Sequence, residues 1–149
     1  MHSAMHHVAI MKKSWHLLPK ILSGEKTIES RWYAHRAEAW GKVYAGDAVF
    51  FKNSGEPVTL RARVKKVLQF ENLAPGRVRR ILKMYGGKGK IGNESFGGMW
   101  QWAKNKKYCV LVFLEQPRPV QPFVINKTGF GSAAAWLAVK NIGTVKRGS

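Results

Sequence analysis

The residues best suited to chemistry lie in one short segment, LSGEKTIESRW, which spans residues 22–32. Its charged side chains follow a glycine with the spacing G-x-K-x-x-E-x-R, and the residues of this motif are Gly24, Lys26, Glu29 and Arg31. Arginine offers a planar fork of donors and lysine a point charge, so the two cations can bind a phosphate. The carboxylate between them can neutralise both or accept a hydrogen bond from a base amine. The motif therefore indicates a nucleotide site, and the alternative is a Glu29 to Arg31 ion pair that only holds a strand in register.

The backbone of this segment is predicted to be extended, because its threonine and isoleucine favour strands. Side chains alternate between the two faces of a strand, so Thr27, Glu29 and Arg31 share one face. Trp32 follows directly and is the ring that we expect to stack on a base, although regular alternation points it away from Glu29. The predicted nucleic-acid site thus contains all four of these residues together with Lys26.

The charge of the whole chain points to the same class of ligand. Its 149 residues include 26 Lys and Arg against 8 Asp and Glu, which gives a formal net charge of +18. A positive field of that size attracts phosphate polymers or anionic lipid heads. The basic residues expected to contact phosphates are Arg61 and Arg63 on a predicted strand, Arg77, Arg79 and Arg80 on a predicted helix, and Lys88 and Lys90 in a glycine-rich segment.

Short strands and helices must position these residues. A buried strand is predicted by the apolar run HVAIM. A helix is predicted in SWHLLPKILSG; it begins near Leu18, because Pro19 is tolerated in a first turn, and it stops at Gly24. Two further strands, AVFFK and VTLRARVKKVLQF, are joined by the hairpin signal NSGEP. The alternation of the second strand slips at Lys65 and Lys66, which predicts a bulge.

The second half of the chain continues this mixture. The run RVRRILKMY places its apolar residues, from Val78 to Tyr85, on one stripe of a basic helix. The segment GGKGKIGNESFGG is not a P-loop, because its lysines are not followed by Ser or Thr. A buried strand is predicted in YCVLVFL, and Pro117, Pro119 and Pro122 are expected to end regular structure after it. Five or so strands with small helices predict an α+β fold that closes as a bent sheet or small barrel.

Composition sets the remaining expectations. The length favours a single domain over residues 1–149. The lone Cys109 rules out an internal disulfide and favours a reducing compartment. No run approaches the roughly 20 apolar residues of a membrane span, and the N-terminus lacks a secretion signal, so we expect a cytoplasmic protein with no membrane partner. His2, His6 and His7 have no metal-ligand partners at fixed spacing and indicate a ragged terminus, so no metal and no cofactor are expected.

The order of these features resembles the activating signal cointegrator homology (ASCH) family. That family carries G-x-K-x-x-E-x-R after its first helix and a G-D turn before the next strand; here they are ILSGEKTIESR and the Gly46-Asp47 turn in YAGDAVFF, with a hairpin ending in ARVKKVLQF. The likeness covers Met11 to about Phe70, and YCVLVFLE fits the late strand of the family. It implies a PUA-like fold, a small mixed β-barrel flanked by short helices, with a cleft that in related domains holds RNA or a nucleobase.

The same resemblance leaves an enzymatic alternative open. Some small relatives of the family are amidohydrolases that act on acylated cytidines, but they carry a threonine nucleophile where this sequence has Glu29. Thr27 lies nearby at a different motif position, and an unactivated hydroxyl is a poor nucleophile. Other relatives are ribonucleases, for which Lys26 would stabilise charge while Glu29 or Glu94 would act as general base.

Two hypotheses of different class result. The first is a nucleic-acid binding domain, with RNA expected before DNA, in which the motif accommodates a nucleotide or base and the outer basic residues contact phosphates. The second is a small hydrolase, a ribonuclease or a modified-nucleoside amidohydrolase, that uses Lys26 and Glu29. A protein partner has only the segment QPRPVQP in its favour and stays unknown.

Overall fold

The structure is a computed structural model that describes residues 4–86, 91 and 96–147. Four residues of the sequence interpretation lie outside the described residues. Two are Lys88 and Lys90, which were expected to contact phosphates; the others are the candidate general base Glu94 and the terminal His2. Nothing further is concluded about these four positions.

Six strands form one mixed sheet. They are β1 His6–Met11, β2 Ile28–Tyr33, β3 Ala48–Asn53, β4 Val58–Phe70, β5 Tyr108–Phe123 and β6 Trp136–Val139. Their order across the sheet is β2-β5-β4-β3-β1-β6, in which β1 and β3 are parallel and all other neighbours are antiparallel. The sheet bends into a half-barrel, so β2 and β6 are its two edges.

Within the described residues the helices are short. They are α1 Leu17–Leu22, α2 Pro75–Tyr85 and α3 Phe96–Ala103, with 3₁₀ turns at Lys13–Trp15 and Ile142–Thr144. The first helix begins one residue before the predicted start, and α2 buries Val78, Ile81 and Leu82 of the predicted stripe. No helix in this described part combines the length and apolarity that crossing a bilayer requires.

Successive side chains of each strand point to opposite faces of the sheet, and both faces bury side chains. One face carries a cluster that includes Ala9, Phe51 and Leu60 and forms the interior of the half-barrel. The other face is covered in two places. The helices α2 and α3 pack against β2 and β5 around Trp32, and the C-terminal segment packs against β1 and β3 around Phe50. The motif strand β2 therefore lies between the barrel interior and the two later helices.

The pairing of β4 with β5 confirms one prediction. The register shifts between Val64 and Lys66, where the sequence pattern indicated a bulge. The hairpin that joins β3 to β4 is also present, and Gly55 supplies the positive φ of +78° that its turn requires. The basic stripe alternates with buried Leu60 and Ala62 as expected.

The prediction that three prolines end regular structure after YCVLVFL is wrong, because β5 continues through them to Phe123. On one side β5 pairs with β4 along this stretch, whereas β2 pairs with it only as far as Phe113. Beyond Phe113 one edge of β5 faces no strand of the described sheet. A proline, which lacks a backbone N–H, is tolerated at such an edge.

The N-terminal histidines of β1 belong to the fold, so the expectation of a ragged terminus is wrong for them. His7 is fully buried, and its Nε2 lies 2.8 Å from Asp47 Oδ2. The Trp136 indole N–H donates to Nδ1 of the same ring at 3.1 Å. Because an indole can only donate, the imidazole proton lies on Nε2 and points to Asp47. On the adjacent residue, His6 Nδ1 accepts from the backbone N–H of Ile142 at 2.8 Å.

The G-D turn before β3 has a structural role. Gly46 has a φ of +95°, which favours glycine, and it places Asp47 beneath the N-terminal strand. The Asp47 carboxylate accepts from the backbone N–H groups of Met5 at 2.9 Å and Tyr44 at 3.0 Å. Burial raises the pKa of Asp47, but these donors and His7 outweigh burial and hold it below its usual value. The turn thus fastens β1 to β3.

Candidate functional site

A cavity of about 220 Å³ lies between two walls and the motif segment. One wall comes from the end of β1, the following 3₁₀ turn and α1, and the other comes from α2, residue 91 and α3. The cavity is smaller than the roughly 300–1,000 Å³ of pockets for drug-sized ligands, so it is suited to a single ring system. The first wall contains Ile10, Met11, Lys12, Trp15 and Leu17; the second contains Leu82, Gly86, Ile91, Met99 and Trp102; the floor contains Lys26, Glu29, Ser30 and Arg31.

Lys26 is buried in the floor, with 1% of its side chain exposed. Its Nζ donates to the carbonyl oxygen of Ile28 at 2.5 Å and to that of Ile91, and it lies 3.2 Å from Glu29 Oε1. An ammonium has three donors, and all three therefore have partners inside the protein. Burial lowers the pKa of Lys26, although the Glu29 carboxylate opposes this. Lys26 thus fastens the chain at residue 91 to the start of β2.

Glu29 lies between the two cations of the motif. Its Oε2 accepts from Arg31 Nε at 2.9 Å, while Oε1 faces Lys26. Burial raises the pKa of this carboxyl, but Lys26 and Arg31 together outweigh burial and lower it below its usual value. The group is therefore a carboxylate at neutral pH. An ionised carboxylate can accept about four hydrogen bonds, so Glu29 keeps acceptor capacity toward the cavity.

Arg31 connects the two edges of the half-barrel. Besides Glu29, its guanidinium donates to the carbonyl oxygen of Ala135 at 3.1 Å and to that of Ile10 at 3.3 Å. Its carbon Cζ lies 5.2 Å from the ring centroid of Trp136, at cation–π distance. Arg31 extends from edge strand β2 to edge strand β6 and the neighbouring β1. The side chain thus closes the barrel where no backbone ladder does so within the described sheet.

The structure brings Lys26, Glu29 and Arg31 together, as predicted. The groups that they offer to a ligand differ, however, from the phosphate site that the residue types indicated. The ammonium of Lys26 cannot donate to a ligand unless it gives up an internal partner, and Arg31 is only 12% exposed. The group with capacity left is the carboxylate of Glu29. The floor therefore offers acceptors. The predicted Glu29 to Arg31 ion pair is also present, with 2.7 Å between Arg31 Nη2 and Glu29 Oε2.

Two predicted residues of the same segment lie outside the cavity. Thr27 is exposed and does not contribute to the lining. Trp32 is 4% exposed and packs against α2 and α3 on the far face of β2. Its ring is not accessible to a base, so the structure does not agree with the stacking role expected for Trp32. The alternation of the strand, which pointed it away from Glu29, explains this burial.

The sequence interpretation selected Trp32 and did not single out the aromatic side chains that do border the cavity, Trp15 and Trp102. Trp102 on α3 is 48% exposed, and Trp15 on the opposite wall is partly exposed. A lysine lies over each ring, Lys12 over Trp15 at 5.5 Å and Lys106 over Trp102 at 5.3 Å. We call these four residues the mouth of the cavity. The signal in the sequence was weak, because six tryptophans are spread along the chain and only the fold brings these two to one cavity.

The predicted basic residues of β4 are partly engaged by the protein. Arg61 is half-buried and lies 5.2 Å from the ring centroid of Phe50. Arg63 is exposed but forms an ion pair with Glu115. Both arginines therefore have less freedom to meet a phosphate than their positions in the sequence suggest.

The arginines of α2 have a different environment. Arg77, Arg79 and Arg80 are all exposed, and Arg77 lies 5.8 Å from the ring centroid of Phe70 while it donates to the backbone of the preceding loop. Phe70 ends β4, nine residues after Arg61, which corresponds to about 30 Å along a strand. The basic residues of the strand and of the helix thus lie at opposite ends of β4 and do not form one patch.

The cysteine and tyrosine side chains with a raised pKa do not line the cavity. Burial raises the pKa of the Cys109 thiol, and it raises the pKa of Tyr33 to about 12. In the part of the chain that the structure describes, no group of three or more His, Cys, Asp or Glu side chains is placed to hold a metal ion. Among residues 4–86, 91 and 96–147, the titratable groups that line the cavity are Lys12, Lys26, Glu29 and Arg31.

Solved structures with the same fold come from the ASCH protein of Zymomonas mobilis. Its crystal structure matches with a TM-score of 0.66 at 14% identity and covers 93% of this chain and 90% of that chain. A tyrosine-to-phenylalanine mutant of that protein gives a TM-score of 0.68 at 14% identity, covering 93% of each chain. A serine-to-alanine mutant gives 0.65 at 16% identity, covering 93% of this chain and 91% of that chain.

These comparisons confirm the predicted architecture. The chain has the α+β, PUA-like fold of ASCH domain structures, a six-stranded half-barrel with a few short helices. No protein-family model matches the sequence, and no curated protein matches it. At this level of identity the likeness shows the fold, and the function has to be argued from the site itself.

Proposed function

We propose that the protein binds nucleic acid, with RNA preferred over DNA, and that one base of the bound strand enters the cavity. Two features support this. The chain has a formal net charge of +18, and its cavity combines aromatic walls with a few polar groups on the floor. Base recognition by proteins uses this combination, in which rings stack and polar groups bond to the base edge.

The observation that carries the proposal is the bonding of the floor. Lys26 uses its three donors internally, whereas the carboxylate of Glu29 is ionised and has acceptor capacity left. A phosphate at the floor would meet this carboxylate and be repelled. A base edge that carries an N–H group would instead donate to it, as bases do to acidic side chains in nucleic-acid grooves. The part of the ligand inside the cavity is therefore a base with a donor on its edge.

The phosphates then lie outside the cavity. The exposed arginines Arg77, Arg79 and Arg80 on α2 are the strongest candidates for phosphate contacts among the described residues predicted for this role. Arg61 and Arg63 contribute less, because one is half-buried over Phe50 and the other is paired with Glu115. Such contacts produce binding that weakens steeply with salt.

The test is fluorescence anisotropy with a labelled single-stranded RNA of about eight nucleotides, its DNA counterpart, and the same RNA with one central abasic site. We expect the intact RNA to bind more tightly than the abasic strand by at least tenfold, with a salt slope typical of several phosphate contacts. The abasic strand has the same phosphates, so it is the matched control for charge. Equal affinity for both RNA strands would contradict the entry of a base into the cavity.

A second candidate function, hydrolysis of RNA or of an acylated nucleoside, is favoured by one observation. A buried lysine with a lowered pKa lies 3.2 Å from a carboxylate beside a cavity, which is a pattern found at catalytic sites. The test is chromatography of RNA and of acylated cytidine after incubation with wild type and with Glu29→Gln, with circular dichroism to check that the variant folds. Product formation that requires Glu29 would support an enzyme. Product at the level of the protein-free blank would contradict it.

A further inference from the structure

The mouth of the cavity indicates how the base arrives. Trp15 and Trp102 belong to different walls, and each has a lysine ammonium within 5.5 Å of its ring centroid. Both indoles therefore have one face toward a cation, and both border a space that is large enough for a single ring system. A base that enters between them can stack on one or both rings.

The two lysines give the mouth its charge. Lys12 itself lines the cavity, whereas Lys106 does not line it but lies over the ring of Trp102, which does. Neither is within ion-pair distance of a carboxylate among the described residues, whereas the adjacent Lys13 pairs with Glu56. Two cations, each over one of the two rings that border the cavity, match a ligand that has negative charge on both sides of the base. A free nucleoside has none, and a free mononucleotide has phosphate on one side only.

Resting on the proposed nucleic-acid function, we infer that the ligand is an internal nucleotide of a single strand, whose base is clamped between Trp15 and Trp102 while Lys12 and Lys106 contact the two flanking phosphates. The Glu29 carboxylate in the floor then accepts a hydrogen bond from the edge of the inserted base. The lysines of the mouth contact phosphates that only a base within a strand carries on both sides. The segments before and after the inserted base lie outside the cavity.

The experiment compares three ligands: an intact RNA, the same RNA with a central abasic site, and the free nucleoside of the central base. Affinities are measured for wild type, Trp15→Ala, Trp102→Ala and Trp102→Phe. The control is Tyr44→Ala, because Tyr44 is as exposed as Trp102, at 48%, and does not line this cavity. Loss of a stacked ring is expected to weaken binding of intact RNA by about 5- to 150-fold, with little effect on the abasic strand.

The expected pattern has three further parts. Trp102→Phe retains most of the affinity, Tyr44→Ala is unchanged, and the free nucleoside binds far more weakly than the intact strand. The double variant Lys12→Ala with Lys106→Ala lowers the salt slope by about 1.4, since each phosphate contact of a single strand contributes about 0.7. Lys140→Ala, which removes an exposed charge after β6, provides the control for net charge.

The outcomes separate this inference from the proposed function. If wild type does not distinguish intact from abasic RNA, the proposed function itself fails. If wild type distinguishes them and both tryptophan variants do so equally well, the base enters the protein but the clamp is wrong. If the free nucleoside binds as tightly as the strand, or the lysine pair leaves the salt slope unchanged, the ligand is not an internal nucleotide.

Discussion

The floor and the mouth of the cavity differ in how their polar and aromatic groups are bonded. In the floor, Lys26 and Arg31 donate to the carbonyl oxygens of four residues from separate parts of the chain and to the carboxylate between them. At the mouth, Trp15 and Trp102 retain exposed surface, and their lysines contact only ring faces among the interactions described. The floor therefore belongs to the fold as much as to the site, whereas the mouth exposes part of both rings and of both lysines to solvent.

The difference in bonding between the floor and the mouth indicates that the motif has a structural role. The spacing G-x-K-x-x-E-x-R places a buried lysine, a carboxylate and an arginine where they join β2 to β1, to β6 and to residue 91. A motif of this kind is needed to build the cavity, whatever the cavity binds. Specificity for a ligand then depends on the acceptor capacity of Glu29 and on residues that belong to no local motif.

The largest expected effect comes from removing the connection between the sheet edges. Arg31→Ala is expected to lower the free energy of unfolding by about 3–5 kcal/mol, because it leaves buried carbonyls and part of the Glu29 carboxylate without a donor. Urea denaturation followed by circular dichroism measures this. The control is Arg36→Ala, which breaks an exposed pair with Glu71 at the same 2.7 Å separation and should hardly move the midpoint. Similar midpoints for both variants would mean that Arg31 does not close the barrel.

Replacing a tryptophan by phenylalanine is expected to lower stability beneath the two helices but not at the mouth. Trp32→Phe removes buried surface from the cluster beneath α2 and α3, and we expect it to cost about 1–3 kcal/mol of stability with no change in RNA affinity. Trp102→Phe should leave stability nearly unchanged, because the side chain is half exposed. Denaturation and anisotropy on the same two proteins measure both quantities. A loss of RNA affinity in folded Trp32→Phe would restore the stacking role that the sequence suggested.

A third effect follows from the lowered pKa values of Glu29 and Asp47. Both carboxyls have a folded pKa below the ordinary values of 4.5 and 3.8, so the unfolded chain binds more protons in that range. Their contribution to stability is present above the unfolded values and is lost as the pH falls through the folded ones. The urea midpoint of the wild-type protein should therefore fall as the pH is lowered from 7 to 3.

A matching variant isolates the contribution of the Glu29 carboxyl. Glu29→Gln should be less stable than wild type at pH 7, and the difference should shrink at pH 3, because below its ordinary pKa of 4.5 this carboxyl takes up a proton more readily in the unfolded chain than in the folded one. Glu25→Gln is the control, since Glu25 is exposed and lies 3.8 Å from Lys20. A difference between Glu29→Gln and wild type that stays constant from pH 7 to pH 3 would contradict the assigned charge state.

The sequence predicted those parts of the molecule that depend on local patterns. The alternation of β4, its bulge at Lys65 and Lys66, the hairpin at Gly55 and the stripe of α2 each follow from neighbouring residues, and the order of these elements led to the correct fold. The prediction that the prolines of β5 end the strand was wrong, because a strand tolerates a proline where no neighbouring strand needs its backbone N–H. Local sequence does not contain that information.

The site was predicted less completely for the same physical reason. The motif residues are near one another in sequence, so their meeting at the cavity could be anticipated. Their hydrogen bonds could not be anticipated, because Lys26 donates to a carbonyl oxygen 65 residues away and Arg31 to one 104 residues away. Trp15 and Trp102 are separated by most of the chain, and only the packing of α3 opposite the 3₁₀ turn brings them to one opening.

The smallest expected effect compares the two groups of outer arginines. Removing Arg79 and Arg80 together should reduce the salt slope of RNA binding by about 1.4, because both are exposed on α2 and each would give up a phosphate contact. Removing Arg61 and Arg63 should reduce it by less than half as much, since Phe50 and Glu115 already engage these side chains. Both double variants lose two positive charges, so net charge is matched. Anisotropy titrations at four salt concentrations give the slopes, and a larger change for the strand pair would place the phosphate path along β4 instead of along α2.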